Sequence, residues 1–172
     1  MDYDVIIAGG GLNGLTLALA LDSAGITTVV IDAFAPQESL NPKFDGRSYA
    51  LSAASQKMLD ALGLWEDLAG HAEPMLEIKV SDGMAGETPS PFVMQFGDDD
   101  FSQGPMGYMV EDRHLRACLA EAVQASDVTF RTGQSVTGQT LHSTHVTVTL
   151  AGHRPLTAAV LVGADGRSSR TA

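Results

Sequence analysis

The chain has 172 residues, 44% apolar and 18% charged, a globular composition with length enough for one ordinary core. Twenty-one acids against ten bases give a formal net charge of −11, which argues against nucleic acid as a partner, since phosphate backbones need a basic face. The one cysteine, Cys118, rules out an internal disulfide framework and a Cys-rich metal site.

The N-terminus reads Met1-Asp2-Tyr3-Asp4, whereas a secretory signal opens on basic residues. No stretch of about 18 apolar residues is free of polar interruption, so a membrane-spanning helix is not expected. A cytoplasmic, reducing setting is the expectation. Val5 to Ala8 is a short β-rich run, followed by Gly9, Gly10 and Gly11. Leu12 to Ala24 is rich in Leu and Ala and predicts a helix, with Gly25 as its C-terminal stop. Thr27 to Ile31 is a second β-branched run. Strand, glycine turn, helix and strand within about 30 residues make a βαβ unit, and continuous apolar strands suit a buried parallel sheet.

Ala33 to Gly46 carries Pro36, Asn41-Pro42 and Asp45-Gly46 and reads as loop. Leu51, Ala54, Met58, Leu59 and Leu62 recur at helical spacing, ending at Gly63. Glu73 to Val110 is mixed, with β-like pieces such as Pro91 to Met94 and an acidic patch at Asp98 to Asp100. Glu111 to Ser126 predicts a helix whose apolar stripe is Leu115, Cys118, Leu119, Ala122 and Val123. Val128 to Phe130, His145 to Leu150 and Leu156 to Gly163 read as strands, the last two around an Ala151-Gly152 turn, in an antiparallel meander.

Gly9-Gly10-Gly11-Leu12-Asn13-Gly14 matches the G-x-G-x-x-G fingerprint in its required setting. Gly9 serves the turn, Gly11 the close approach of a pyrophosphate, and Gly14 the close packing of the helix. The helix N-terminus offers amides and positive dipole to phosphate. Asp32 lies 18 residues past Gly14, where an acid accepts hydrogen bonds from a ribose. A simple NAD domain continues with alternating strands and helices. The long loop and late meander seen here favour FAD.

Three further segments resemble the flavin-dependent aromatic hydroxylases. Asp45-Gly46-Arg47-Ser48-Tyr49-Ala50-Leu51-Ser52 resembles their arginine loop. Gly107-Tyr108-Met109-Val110-Glu111-Asp112-Arg113-His114-Leu115 resembles their strand-to-helix segment beside the flavin. Gly163-Ala164-Asp165-Gly166-Arg167-Ser168-Ser169-Arg170 resembles their DG motif. The pattern, running from residue 3 to 170, is most similar to the ubiquinone-biosynthesis monooxygenases, a branch of the p-hydroxybenzoate hydroxylase-like flavoproteins.

The resemblance implies an α/β, Rossmann-like FAD/NAD(P)-binding fold with a parallel sheet, a β meander and part of an inserted substrate-domain region. The dinucleotide-binding βαβ is then 3–32, a partial substrate-side region about 73–110, and the return to the FAD domain 111–172. It implies FAD at Gly9, Gly11, Gly14, Asp32, Arg47, Asp112, Arg113, Asp165 and Gly166, and NAD(P)H as reductant. Its chemistry is hydroxylation of a prenylated phenol, at a membrane surface if the substrate's tail requires it. The flavin carries that chemistry. No side chain here is expected to act as nucleophile or base, and no metal site is expected. Asp112 stands where the family usually has Asn, and Asp cannot donate through an amide. The family's later Gly-Asp motif has no counterpart in these residues, so the chain is expected to be an inactive N-terminal piece.

Plainer readings stand beside these. Arg47 is then a surface arginine, Asp165-Gly166 a type I turn, and Asp112 a helix N-cap. The methionines at 75, 84, 94, 106 and 109 are core filler rather than cavity lining, and Cys118 is a small buried thiol. His142 and His145, three apart in a strand region, are expected on opposite faces. At the level of the whole chain, the alternatives are a non-catalytic dinucleotide-binding module, another FAD oxidoreductase of the same superfamily, and an inactive chain paired as a homodimer.

Overall fold

A computed structural model describes residues 1–34, 45–83, 86, 88, 90–97, 104–167, 169 and 171. The expected loop centre at 35–44, the acidic patch at 98–100, Met84, Ser168 and Arg170 lie outside the described residues. The chain divides into two compact units, Met1–Asp45 with Arg113–Ala172, and Gly46–Asp112.

The first unit is built on β1 (Tyr3–Ala8), α1 (Leu12–Ser23) and β2 (Thr28–Ile31), the βαβ unit the sequence predicts. Gly25 has φ +73° and its N–H donates to Asp22 O at 2.8 Å, closing α1. β8 (Thr129–Arg131), β9 (Val136–Leu141), β10 (Val146–Leu150) and β11 (His153–Gly163) complete a six-stranded sheet in the order β8-β2-β1-β11-β10-β9. The meander is therefore part of the central sheet. The long β11 pairs antiparallel with β10 through His153 to Ala158, then parallel with β1 through Ala158 to Gly163. One face of this sheet buries Ile6, Val29, Ile31, Val148, Leu150 and Leu156 in a single cluster. Ile7 and Val30, one residue out of phase, serve the other face.

The start of β1 is stapled on both sides by acids. Asp4 accepts from the N–H of Thr27 at 3.0 Å and from its hydroxyl. Asp2 accepts from the N–H and hydroxyl of Thr157 at 2.9 and 3.0 Å. These bonds hold both carboxyls below the ordinary value of 3.8, with the Thr157 N–H as the main cause at Asp2 and the Thr27 hydroxyl at Asp4.

The second unit holds β3 (Ser48–Ser52), α2 (Ala53–Ala61), α3 (Trp65–Ala69), β4 (Ala72–Pro74), β5 (Ile78–Ser81), β6 (Val93–Phe96) and β7 (Gly107–Glu111). Its three-stranded sheet runs β3-β7-β4, and β5 pairs with β6 alone. Leu51, expected on a helix, lies in β3, and the helix starts only after the Ser52 hydroxyl accepts from Ser55 N–H as an N-cap. The helical spacing of Leu51 is fortuitous; on β3 it pairs with Tyr108 across to β7. Helix α4 (Asp112–Ala125) buries Leu115, Leu119 and Val123, as its stripe predicts, while Cys118 is only half-buried.

Two expectations are corrected. His142 and His145 do not face apart: their rings stack with centroids 4.3 Å apart and 14° between planes. They flank the two-residue tip of the β9–β10 hairpin, where His142 N–H donates to His145 O, so they face each other across it rather than along one strand. Nor are all the described methionines core filler: Met75 and Met106 are half-buried, whereas Met94 is 61% exposed and Met109 38%.

Leu156→Ala is expected to cost about 2–5 kcal/mol in urea unfolding, since its side chain is wholly buried in the cluster with Ile6, Val29 and Val148. A depressed folded-state pKa gives stability above the unfolded value that is lost as pH falls through the folded one. The unfolding midpoint is therefore expected to drop as pH falls below about 3.8, and less steeply in Asp2→Asn/Asp4→Asn.

Candidate functional site

Parallel register aligns four strand ends of the first unit. Ala8 pairs with Ile31 on one side and Gly163 on the other, and Ile31 pairs with Arg131. Ligands of open α/β sheets bind outside such carboxyl ends, and the fingerprint residues gather here.

Gly9 has φ +110°, and a Cβ on it would lie 2.3 Å from the carbonyl oxygen of Ala164. The first turn of the chain and its last turn are thus in backbone contact, reinforced by the Ala164 N–H donating to Ala8 O at 2.7 Å. A Cβ on Gly14 would lie 1.9 Å from Gly9 O, so the first turn of α1 packs directly on the glycine turn. Gly11 differs from both. It takes an ordinary extended conformation as the N-cap of α1, φ −76° and ψ −177°, and a Cβ there would meet no described atom within 4 Å. Neither backbone strain nor the packing of these residues demands a glycine at 11. The open space above it, at an α1 N-terminus that no side chain caps, fits a phosphate group approaching the backbone.

Asp32 stands half-exposed at the end of β2. Its Oδ2 accepts from Gly10 N–H at 2.5 Å and its Oδ1 from Phe34 N–H at 2.8 Å. Each oxygen has a second lone pair, so a ribose hydroxyl remains a possible donor. Asp165 is also engaged: its Oδ1 accepts from the Ser169 hydroxyl at 2.5 Å and its Oδ2 from the Thr171 hydroxyl at 3.1 Å. Gly166 follows with φ +86°, a turn conformation that suits glycine. Arg113, half-buried near the start of α4, belongs to this unit too.

In the second unit, Arg47 and Asp112 sit just beyond the β3–β7 ladder, whose last pair is Ser48 with Glu111. Asp112 N–H donates to Arg47 O at 3.0 Å, and the Arg47 Nη2 lies 3.1 Å from Asp112 Oδ2. The carboxylate is 4% exposed and the guanidinium half-exposed. An Asn at 112 could not supply that counter-charge to Arg47.

Sequence reasoning passed over Gly10, Phe130 and Thr171. A Cβ on Gly10 would fall 2.7 Å from the Phe130 ring and 3.0 Å from Asp32 Oδ2. Only the uninterrupted run of three glycines hinted that this position was also constrained. Phe130 carries no local signal, since its role comes from Gly10, 120 residues away, and Thr171 carries none because a threonine six residues after an aspartate is not a recognised pattern. No group of three His, Cys, Asp or Glu among the described residues could hold a metal ion.

The comparisons agree with this geometry. Residues 2–172 match the family model described as FAD binding domain. Ubiquinone hydroxylase UbiL of Rhodospirillum rubrum is 40% identical over 97% of this chain and 38% of its own length. The 3-demethoxyubiquinol 3-hydroxylase of Escherichia coli is 29% identical over 97% of this chain and 42% of its own. The solved structure of the flavin-dependent monooxygenase PieE in complex with FAD and substrate has the same fold, with a TM-score of 0.72 over 99% of this chain and 31% of that one, at 24% identity. The chain thus spans about two fifths of the length of these two curated relatives. With strand ends, glycine turn and family model in agreement, the chain belongs to the family described as FAD binding domain.

Proposed function

We propose that these residues are the FAD-binding N-terminal part of a flavin-dependent hydroxylase acting on a prenylated phenol, a precursor of ubiquinone. The observation that carries the reading is the open space over Gly11 at the aligned strand ends. In this reading Gly9 and Gly14 shape the turn, the open backbone at Gly11 receives the pyrophosphate, Asp32 receives the adenosine ribose, and Asp165 with Gly166 shapes the turn beside them. Arg47, Asp112 and Arg113 are further candidates that the family pattern supplies. Residues 3–32 are the dinucleotide-binding βαβ, about 73–110 the substrate side, and 111–172 the return to the FAD domain. When bound, the flavin supplies electron transfer from NAD(P)H and the activation of oxygen. The protein's own part is to bind and orient.

The resemblance to ubiquinone hydroxylases supports a substrate with a prenyl tail, which would bring the whole enzyme to a membrane surface. No helix among the described residues is long and apolar enough to cross a membrane. Exposed apolar side chains such as Phe92 and Leu141 offer area for a homodimer. The 172 residues alone are expected to hydroxylate no phenol, because the relatives that carry out that reaction are more than twice as long.

Titration of the purified chain with FAD, followed by flavin fluorescence, is expected to show saturable binding that NAD does not reproduce. Binding of NAD in preference to FAD would overturn the reading. Gly11→Val is expected to weaken FAD at least tenfold while lowering stability by no more than about 1 kcal/mol, the cost of losing a glycine N-cap, because a Cβ there enters open space and not the protein. Arg47→Ala is expected to weaken FAD as well. It also takes a counter-charge from a buried carboxylate, so stability should fall by about 1–3 kcal/mol and recover in Arg47→Ala/Asp112→Asn.

A further inference from the structure

Asp32 bonds to the chain through all four of its polar groups. Its N–H donates to Arg131 O at 2.9 Å, and its carbonyl accepts from Gln134 N–H at 3.0 Å. Its carboxylate accepts from Phe34 and from Gly10. It therefore ties together the end of β2, the loop after β8 and the glycine turn after β1. The bond to Gly10 matters most. Gly10 lies between Gly9 and Gly11, and its amide, pointed at a carboxylate, cannot also point at a phosphate. The carboxylate thus fixes the peptide plane from which the following amides of the turn are presented. The Phe130 ring closes the same position from another side, leaving Gly10 no room for a Cβ.

We infer that Asp32 is a positioning residue for the phosphate-binding turn, in addition to any contact with ribose. A ligand that engages Asp32 through its sugar hydroxyls and one that engages the turn through its pyrophosphate then bind to a single coupled element. The inference rests on the dinucleotide-binding reading of this edge and goes beyond it. A residue that bound only ribose would have no influence on a ligand without ribose hydroxyls. A residue that holds the turn would.

The test uses ADP and 2′,3′-dideoxy-ADP as probes, which share the adenine and the pyrophosphate and differ only in the hydroxyls. Asp32→Asn keeps one acceptor oxygen and places donors where the other oxygen was, opposite an N–H. It is expected to weaken dideoxy-ADP about tenfold or more. Equal binding of dideoxy-ADP to the native chain and to Asp32→Asn would overturn the inference while leaving the nucleotide site intact. Amide hydrogen exchange at Gly10, measured without ligand, reads the same bond independently. Protection in the native chain that is lost in Asp32→Asn, with the sheet amides of β1 and β2 still protected, is the expected result. Unchanged protection at Gly10 would overturn the inference. If neither probe nor FAD binds the native chain while Gly10 protection still depends on Asp32, the dinucleotide reading fails and the clamp on the turn survives.

Discussion

The contact between Gly9 and the Ala164–Asp165 peptide is the constraint on which the nucleotide-binding edge depends. Two backbone segments 155 residues apart approach so closely that no side-chain carbon fits between them. That approach is possible only because β1 and β11 are parallel neighbours ending in register, Ala8 beside Gly163. The glycine at 9 therefore answers two demands at once, a positive φ and a missing Cβ. Gly14 then rests on the carbonyl of Gly9, so the start of α1 is fixed to the turn and the turn to β11. Gly11 is the exception that gives the cluster its meaning, since these residues leave its surroundings open.

Three carboxylates near the candidate ligand positions show how environment divides one chemical group into different tasks. Asp32 is half-exposed and, among the described residues, its carboxylate accepts from two backbone amides, Gly10 and Phe34. Asp165 accepts from two hydroxyls further along the chain and closes a loop. Asp112 is buried and faces a guanidinium, and in the second unit it serves charge balance. A sequence shows three aspartates. Only burial and partners separate the hinge of a turn from the counter-ion of an arginine.

The parts of the fold legible in the sequence are those with local causes. The βαβ unit could be read because strand, glycine turn, helix and strand follow one another without interruption. Helix α4 could be read because its apolar stripe repeats at the helical period. β3 and β5 alternate apolar with small or polar residues, but over only five and four residues and mostly exposed, too short a run to stand out, and β3 was partly mistaken for the helix it precedes. β11 was legible as a strand, but not its change of partner at Ala158, which depends on β1 more than 150 residues away. The histidine pair failed for a related reason. Strand periodicity assumes a continuous strand, and the two residues lie on opposite arms of a hairpin. Within the candidate site the glycines and Asp32 were legible as types at a spacing. The bond from Gly10 to Asp32 and the ion pair of Arg47 with Asp112 were not, since neither follows from spacing.

The charge of the chain limits how it could hold an anion. A formal −11 repels a pyrophosphate at long range, so no basic field draws the ligand in. Arg47, the cation that the family pattern brings to mind, already faces Asp112. The groups that the glycine turn itself offers an anion are short-range: its amides and the N-terminus of α1, whose partial charges act only within hydrogen-bonding distance. Such a site works only if those amides are held in place before the ligand arrives, because weak dipoles cannot compensate for reorganising a flexible loop. In the proposed reading, the bonds that hold this turn, from Gly9 to Ile31 and from Gly10 to Asp32, contribute to phosphate recognition as much as the amides that would meet the ligand.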